Sequence, residues 1–293
     1  RMKVVYGHTD SIYCTVDSVE HAQEVCSQIN TQVQKIFPNV FNLEEHPVQL
    51  EFEKYFSSLG VGSTKNRNAG LVSWKDGEWL EEPEFTMTGF TAKRVSETKL
   101  SKDVQLTVLK MWVENNSKEE IDSYLNATYT KLLKGEVNMD MLTRRSRFKE
   151  ERFTVKCNNC TRKNTLDYLM FNSCCNKMNI VTLEGKRPMV GAGIEGILFH
   201  NFHNQTPITD SYLYLKVKDI KDSYMHPINQ HHVHPSYVSA VSLDELGKYQ
   251  SNIDWNYYAE AAIKKAEPIY SAMGWSTREA TRDTRQKELE DWF

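Results

Sequence analysis

No run of apolar residues in this 293-residue chain approaches the roughly 18 that a membrane-spanning helix needs, and no secretory leader is present. The two absences predict a cytosolic protein. Positive charge is not in excess either: 36 Lys and Arg stand against 39 Asp and Glu, a formal net charge of −3. Bulk charge therefore points to no nucleic-acid partner, and any basic surface must be local. Internal repeats and low-complexity tracts are also lacking. What is there, 40% hydrophobic and 26% charged residues, is the composition of a globular chain long enough for one large or two ordinary domains. Position 1 is Arg, and the sequence opens directly in a strand-like run. That opening predicts a fragment or a split subunit with an upstream part elsewhere.

Local patterns predict mixed helix and strand. Met2 to Tyr6 and Ser11 to Val16 are β-prone runs around a Gly-containing connection, which reads as a hairpin with Asp10 at its tip. A helix from His21 to Phe37 carries Val25, Ile29, Val33 and Ile36 at helical spacing, stops at Pro38, and is expected to pack on the sheet. Val48 to Glu53 alternates strictly, which predicts a strand with one core face and one acidic face, Gln49, Glu51 and Glu53. Leu71 to Trp74 and Glu78 to Leu80 flank an Asp76-Gly77 turn. Helices are expected from near Ser101 through Trp112, over Ile121 to Leu133 with Gly135 closing it, and over Asp254 to Met273.

The hexapeptide Tyr6-Gly7-His8-Thr9-Asp10-Ser11, with Val4-Val5 before it and Ile12-Tyr13-Cys14 after it, resembles the palm motif of family B DNA polymerases, usually written Tyr-Gly-Asp-Thr-Asp-Ser. The resemblance implies that Asp10 ligates the two catalytic Mg²⁺ ions, hard cations that take oxygen ligands. His8 stands where the family has a second Asp. Imidazole is a softer ligand, so His8 either hydrogen-bonds a metal-bound water or phosphate, or is a solvated turn residue. Leu50-Glu51-Phe52-Glu53 is similar to the Leu-Glu-x-Glu strand of the palm, which places Glu53 nearer the metal site than Glu51. Thr64 to Gly70 resembles the Thr-Lys-Lys-Arg-Tyr-Ala-Gly element that holds the primer strand. Lys65 and Arg67 match it, while Asn66 and Asn68 replace a Lys and a Tyr and remove one phosphate charge.

Lys93-Arg94, with Ser96 in place of an Asp, matches the spacing of an archaeal Arg-Arg-Asp segment, and Thr143-Arg144-Arg145-Ser146-Arg147 resembles the Thr-Arg element with which the thumb grips duplex DNA. Arg144, Arg145, Arg147, Lys149, Arg152, Lys156, Arg162 and Lys163 fall within Thr143 to Lys163 against two acids, Glu150 and Glu151. This is the local basic stripe that the net charge conceals, and it predicts phosphate contacts without sequence preference. Cys157, Cys160, Cys174 and Cys175 form the candidate Zn²⁺ site, although the adjacent pair Cys174-Cys175 would be strained around one tetrahedral ion. His231, His232 and His234, beside Pro235, read as a polar loop. The chain closes on Gln286-Lys287-Glu288-Leu289-Glu290-Asp291-Trp292-Phe293, which fits the box by which replication proteins bind the sliding clamp: Leu289, Trp292 and Phe293 share one face of a helical turn, and Gln286 fills a polar pocket.

The resemblance, closest to archaeal replicative enzymes, implies an α+β fold: the C-terminal part of a palm over residues 1–62, an antiparallel sheet with helices, then a mainly helical thumb over 63–285 with a Cys-rich insertion at 157–175, and a clamp-binding tail over 286–293. It implies template-directed DNA synthesis in a nucleoid-associated enzyme whose partners are primer-template DNA, deoxynucleoside triphosphates, the sliding clamp and an upstream polymerase half carrying the remaining catalytic Asp. The rival reading is an inactivated paralogue that binds DNA and tethers the clamp. His8, Asn66 and Asn68 favour the rival; the retained Asp10 opposes it.

Overall fold

The computed structural model describes residues 2–8, 11–64, 66–149, 154–157, 163–165, 180–182, 190–204, 206–226 and 231–281. The fold is α+β, with small antiparallel sheets divided between two compact units. The first unit takes Arg1–Phe90, Thr107–Ile121 and Glu267–Ser276; the second takes Thr91–Leu106, Asp122–Ala266 and Thr277–Phe293. No described helix is long and apolar enough to cross a membrane.

In the first unit, β1 (Lys3–His8) and β2 (Ser11–Thr15) form the expected hairpin. The register slips between Val4 and Tyr6, leaving Val5 as an extra residue on β1. A bulge of this kind turns the side chains that follow it. α1 (Val19–Ile36) begins at Ser18, whose hydroxyl accepts from the His21 N–H, and stops before Pro38 as predicted. Its packing departs from expectation. Val19 and Ala22 are buried, but Ile29 is 40% and Ile36 69% exposed, so the apolar stripe is not a core face. A two-stranded hairpin presents too little surface to cover so long a helix.

Val48 to Glu53 is not the predicted strand; β3 (Lys54–Val61) begins just after it. The reason lies at Leu50, whose N–H donates to Asn30 Oδ1 at 2.7 Å and whose carbonyl accepts from Asn30 Nδ2 at 2.8 Å. One side chain of α1 thereby satisfies both backbone groups that a neighbouring strand would have taken. The alternation survives as exposure alone: Leu50 and Phe52 are half-buried, Phe52 against the Trp74 ring at 4.9 Å, while Glu51 and Glu53 face solvent. β3 pairs with β4 (Asn68–Lys75), which pairs with β5 (Glu78–Thr88) through the anticipated turn. Asp76 and Gly77 there have φ of 52° and 95°, the left-handed pair that a two-residue hairpin demands. Ala69, Val72 and Trp74 make β4 the buried centre of this sheet.

α2 (Lys99–Val113) and α3 (Lys118–Leu133) arise where the apolar spacing places them, and Gly135, with φ of 71°, ends the second. In the second unit α4 (Met139–Leu142) leads into β6 (Arg144–Arg147), so the basic Thr-Arg segment is a strand. β7 (Thr154–Cys157), β8 (Lys163–Thr165) and β9 (Ile180–Thr182) form a separate sheet. α5 (Ala192–His203) then precedes β10 (Ser211–Lys216), the middle strand between β6 and β13 (Tyr237–Ala240). α5 lies close on this sheet because Gly196 has no side chain: a Cβ there would strike Ser239 Oγ and the Val238 backbone. β11 (Tyr224–Met225) and β12 (His232–Val233) pair, so His232 sits in a short hairpin where the sequence suggested a loop.

α6 (Leu243–Gly247) follows β13, and the helix predicted over Asp254 to Met273 is two: α7 (Trp255–Ile263) and α8 (Glu267–Met273), the latter belonging to the first unit. Pro268 explains the break. Its ring would collide with the Lys264 carbonyl in a continuous helix and it has no N–H to donate, but the first turn of α8 tolerates both.

Replacing Asn30 by Ala leaves the Leu50 N–H and carbonyl without their partners. We expect a loss of about 1–3 kcal/mol, read as a lower urea midpoint at unchanged m-value.

Candidate functional site

Two hairpin ends meet in the first unit. His8 pairs with Ser11, so the β1–β2 ladder closes on either side of Thr9 and Asp10, which lie outside the described residues. The β3–β4 ladder closes with Val61 opposite Asn68, and the basic element occupies the connection, where the Gly62 N–H donates to the Arg67 carbonyl at 2.7 Å. Tyr6 joins the two. Its hydroxyl donates to Asn66 Oδ1 at 3.1 Å and accepts from the Asn66 N–H at 3.2 Å. The Tyr6 ring lies 5.4 Å from that of Tyr13, which lies 6.0 Å from that of Phe56 on β3. A phenol chain of this sort fixes the hairpin to the larger sheet by ring contact and to the basic connection by hydrogen bonding.

This contact accounts for Asn66. Its φ of 63° is left-handed, a conformation that Asn adopts more readily than Lys, and its side chain is held by Tyr6. Gly89, with φ of 76°, follows β5 and passes so near that a Cβ would enter the Asn66 carbonyl. Asn68 is buried at the start of β4, so its side chain is not offered to solvent. Arg67 is half-buried, and Lys65 lies outside the described residues.

Glu53 is not brought to Arg67. It precedes β3, is two-thirds exposed, and its carboxylate pairs with Lys54 Nζ at 2.8 Å. The eight residues of β3, about 26 Å of strand, separate it from the basic connection. Among the described residues no group of three or more His, Cys, Asp and Glu side chains could hold a metal ion. Of the four cysteines of the zinc candidate, Cys157 is buried at the end of β7, and Cys160, Cys174 and Cys175 lie outside the described residues. So do Gln286, Leu289, Trp292 and Phe293.

In the second unit, Thr143 caps α4 through its Oγ1, which donates to the Met139 carbonyl at 2.8 Å, and the strand it introduces splits the basic residues between two faces. Arg144 is half-buried on one face, and Arg145 and Arg147 are exposed on the other. Burial pulls the Arg144 guanidinium down, but the phenols of Tyr257 and Tyr214 outweigh it and leave its pKa above the ordinary value. Lys216 shares this face, its Nζ 4.6 Å from the Tyr237 ring centre and 5.8 Å from that of Tyr257. Sequence reasoning missed this cluster because its members come from β6, β10, β13 and α7. Ser96, in the segment matched to Arg-Arg-Asp, is exposed, while Glu97 beside it pairs with Lys265 at 2.9 Å in a largely buried contact.

Comparison with known proteins bears on all of this. Residues 1–162 match the family described as DNA polymerase family B. Over 146 residues the chain is 29% identical to DNA polymerase 037L of Invertebrate iridescent virus 6, a stretch that is 45% of this chain and 11% of the viral protein. Its fold is similar to that of the family B DNA polymerase from the hyperthermophilic archaeon Pyrobaculum calidifontis, with a TM-score of 0.53 at 16% identity over 92% of this chain and 26% of the archaeal one. The chain thus spans about a tenth of the viral relative and a quarter of the archaeal structure.

Tyr6→Phe removes a donor and an acceptor from the Asn66 contact and should cost about 0.5–1.5 kcal/mol. Gly89→Ala should cost more, because a left-handed φ and a backbone collision both oppose the new Cβ. Urea titration of the two variants tests the order.

Proposed function

Because the chain belongs to DNA polymerase family B, as the match over residues 1–162 shows, we propose that it forms the palm hairpin, thumb and clamp-binding tail of an enzyme that synthesises DNA on a template. Residues 1–62 serve as the palm part, 63–285 as the thumb and 286–293 as the tail. The observation that carries this reading is the union of the β1–β2 hairpin with the basic connection through Tyr6 and Asn66, because a polymerase must hold its metal-binding carboxylate and the primer backbone in one frame.

Asp10 is the carboxylate of that frame. Mg²⁺ takes near-octahedral oxygen ligands, and when bound it would activate the primer 3′-hydroxyl and offset triphosphate charge. Asp10, which lies outside the described residues, acts in this reading with carboxylates from another part of the polymerase. His8, the last residue of the β1–β2 ladder, hydrogen-bonds phosphate or a water. Lys65 and Arg67 hold the primer backbone, with Asn66 given over to positioning the loop. On the thumb, Arg147 contacts duplex phosphate, and Thr143 and Arg144 secure the strand that carries it.

Two measurements test this. In the complete polymerase, Asp10→Ala should lower primer extension with Mg²⁺ by orders of magnitude while leaving duplex binding in place, and this chain by itself should extend no primer. Full activity of the Asp10→Ala enzyme would remove the assignment. Separately, a peptide of Gln286 to Phe293 should bind a trimeric sliding clamp in calorimetric titration. Replacing Trp292 and Phe293 by Ala should abolish that binding, since losing one such aromatic anchor costs about 2 kcal/mol or more.

A further inference from the structure

A cavity of about 560 Å³ lies in the second unit, between the end of α5, the turn that joins β10 to β11 and the segment that follows α6. Its size is that of a site for a small organic molecule. Phe199 and Ile220, both buried, give it an apolar wall, and the half-buried Tyr249 ring lies 6.2 Å from that of Phe199. The lining is fixed by hydrogen bonds. The Lys218 N–H donates to the Asn252 carbonyl at 2.8 Å, and Asn252 Nδ2 donates to the Lys218 and Asp219 carbonyls at 3.2 and 3.1 Å. Across from them, His203 Nε2 donates to the Ser223 carbonyl at 3.0 Å while its ring meets Phe199 edge-on at 4.8 Å. A site shaped in advance loses little entropy when it is filled.

Four charged side chains stand in this lining: Asp219, Lys221, Asp222 and Lys248, all exposed. The ion pairs among the described residues include none of them. Lys248 Nζ instead lies 5.0 Å from the centre of the Tyr249 ring, a weak contact at an exposed position. Burial and, after it, the Asp222 carboxylate push the Tyr249 phenol up to about 12, which places Asp222 near the ring. A simple anion would be repelled by the two carboxylates, and a simple cation by the two ammonium groups. The lining suits one molecule that brings an anionic group to the lysines, N–H donors to a carboxylate and a planar face to the aromatic wall.

A nucleotide brings all three. Among the bases, guanine alone offers two adjacent donors, N1–H and the 2-amino group, that a single carboxylate accepts together. Adenine and cytosine set an acceptor nitrogen beside their amino group, and uracil sets carbonyls on both sides of its N–H. We propose that this cavity binds a guanine nucleotide, with Asp222 accepting from N1–H and the 2-amino group, Lys221 and Lys248 holding the phosphate, and the Tyr249 ring against the base. Lys248 leaves the ring for the phosphate as the base arrives. Binding there does not require polymerase activity, because every group involved belongs to the second unit.

The test is calorimetric titration of the full chain with GMP, inosine monophosphate, AMP and inorganic phosphate. Inosine monophosphate keeps N1–H and lacks the 2-amino group, so it should bind about tenfold more weakly than GMP, and AMP at least as weakly. Asp222→Asn should weaken GMP binding by about the same factor and erase the preference over the other two nucleotides. Lys221→Ala with Lys248→Ala should weaken all three nucleotides alike and leave the preference in place. Tyr249→Phe keeps the ring and should bind GMP as the parent does, whereas Tyr249→Ala should not, which separates ring contact from a role of the hydroxyl.

No heat of binding at millimolar GMP would overturn the proposal. So would equal affinity for the three nucleotides, or phosphate binding as tightly as GMP, which would leave the cavity an anion site. A guanine preference that survives both Asp222→Asn and the double Lys variant would place the nucleotide elsewhere on the chain and overturn it as well.

Discussion

The hydrogen-bond pair between Tyr6 and Asn66 is the constraint on which the first unit's functional geometry depends. Neither hairpin end is rigid by itself, since a two-stranded ribbon is marginal in water and a six-residue connection has many conformations. The phenol removes that freedom by acting as donor and acceptor towards one residue, with Tyr13 and Phe56 holding its ring. The bulge at Val5 belongs to the same arrangement, because it changes the alternation on β1 one residue before Tyr6. Gly89 completes it by leaving room for the Asn66 carbonyl. Asn at position 66 thus serves twice, as a residue suited to left-handed backbone and as a hydrogen-bonding partner of Tyr6.

In the second unit the basic strand performs two tasks that its residue types do not distinguish. Arg144 and Arg147 are the same side chain three residues apart, yet strand geometry sends them to opposite faces, one among tyrosines and one into solvent. The half-buried guanidinium is held beside the phenols of Tyr257 and Tyr214, and the exposed one faces solvent. Glycines on α5 let the helix lie close on the same sheet, with Gly193 against the Tyr212 hydroxyl and Gly196 against Ser239, so that the sheet is braced from above.

Elements with a short-range signal were legible in the sequence. The β1–β2 hairpin, α1, α2, α3 and the Asp76–Gly77 turn follow from apolar spacing, Pro38 and the left-handed preference of Gly and Asp. Val48 to Glu53 misled because alternation reports exposure, not pairing, and Asn30 on a distant helix had taken Leu50's backbone groups. The break before α8 was readable from Pro268 and is obscured by the apolar residues that continue across it. α5 has apolar residues on all sides and so no period to find. β6 is four polar residues whose partner strand lies more than sixty positions away, and the Tyr6–Asn66 contact spans sixty. The motifs identified the residues of the candidate site; only the fold showed which of them meet.

The way the two units share the chain has a consequence for biosynthesis. Residues 267–276 belong to the first unit, where Ser271 bonds Ser63 and the buried Tyr270 ring meets that of Trp275. On a ribosome they emerge only after most of the second unit, Thr91–Leu106 and Asp122–Ala266, has been made. The first unit therefore cannot be completed until residues 267–276 have been made, so its packing departs from simple N-to-C order, a circumstance in which a nascent chain is a natural client for chaperones.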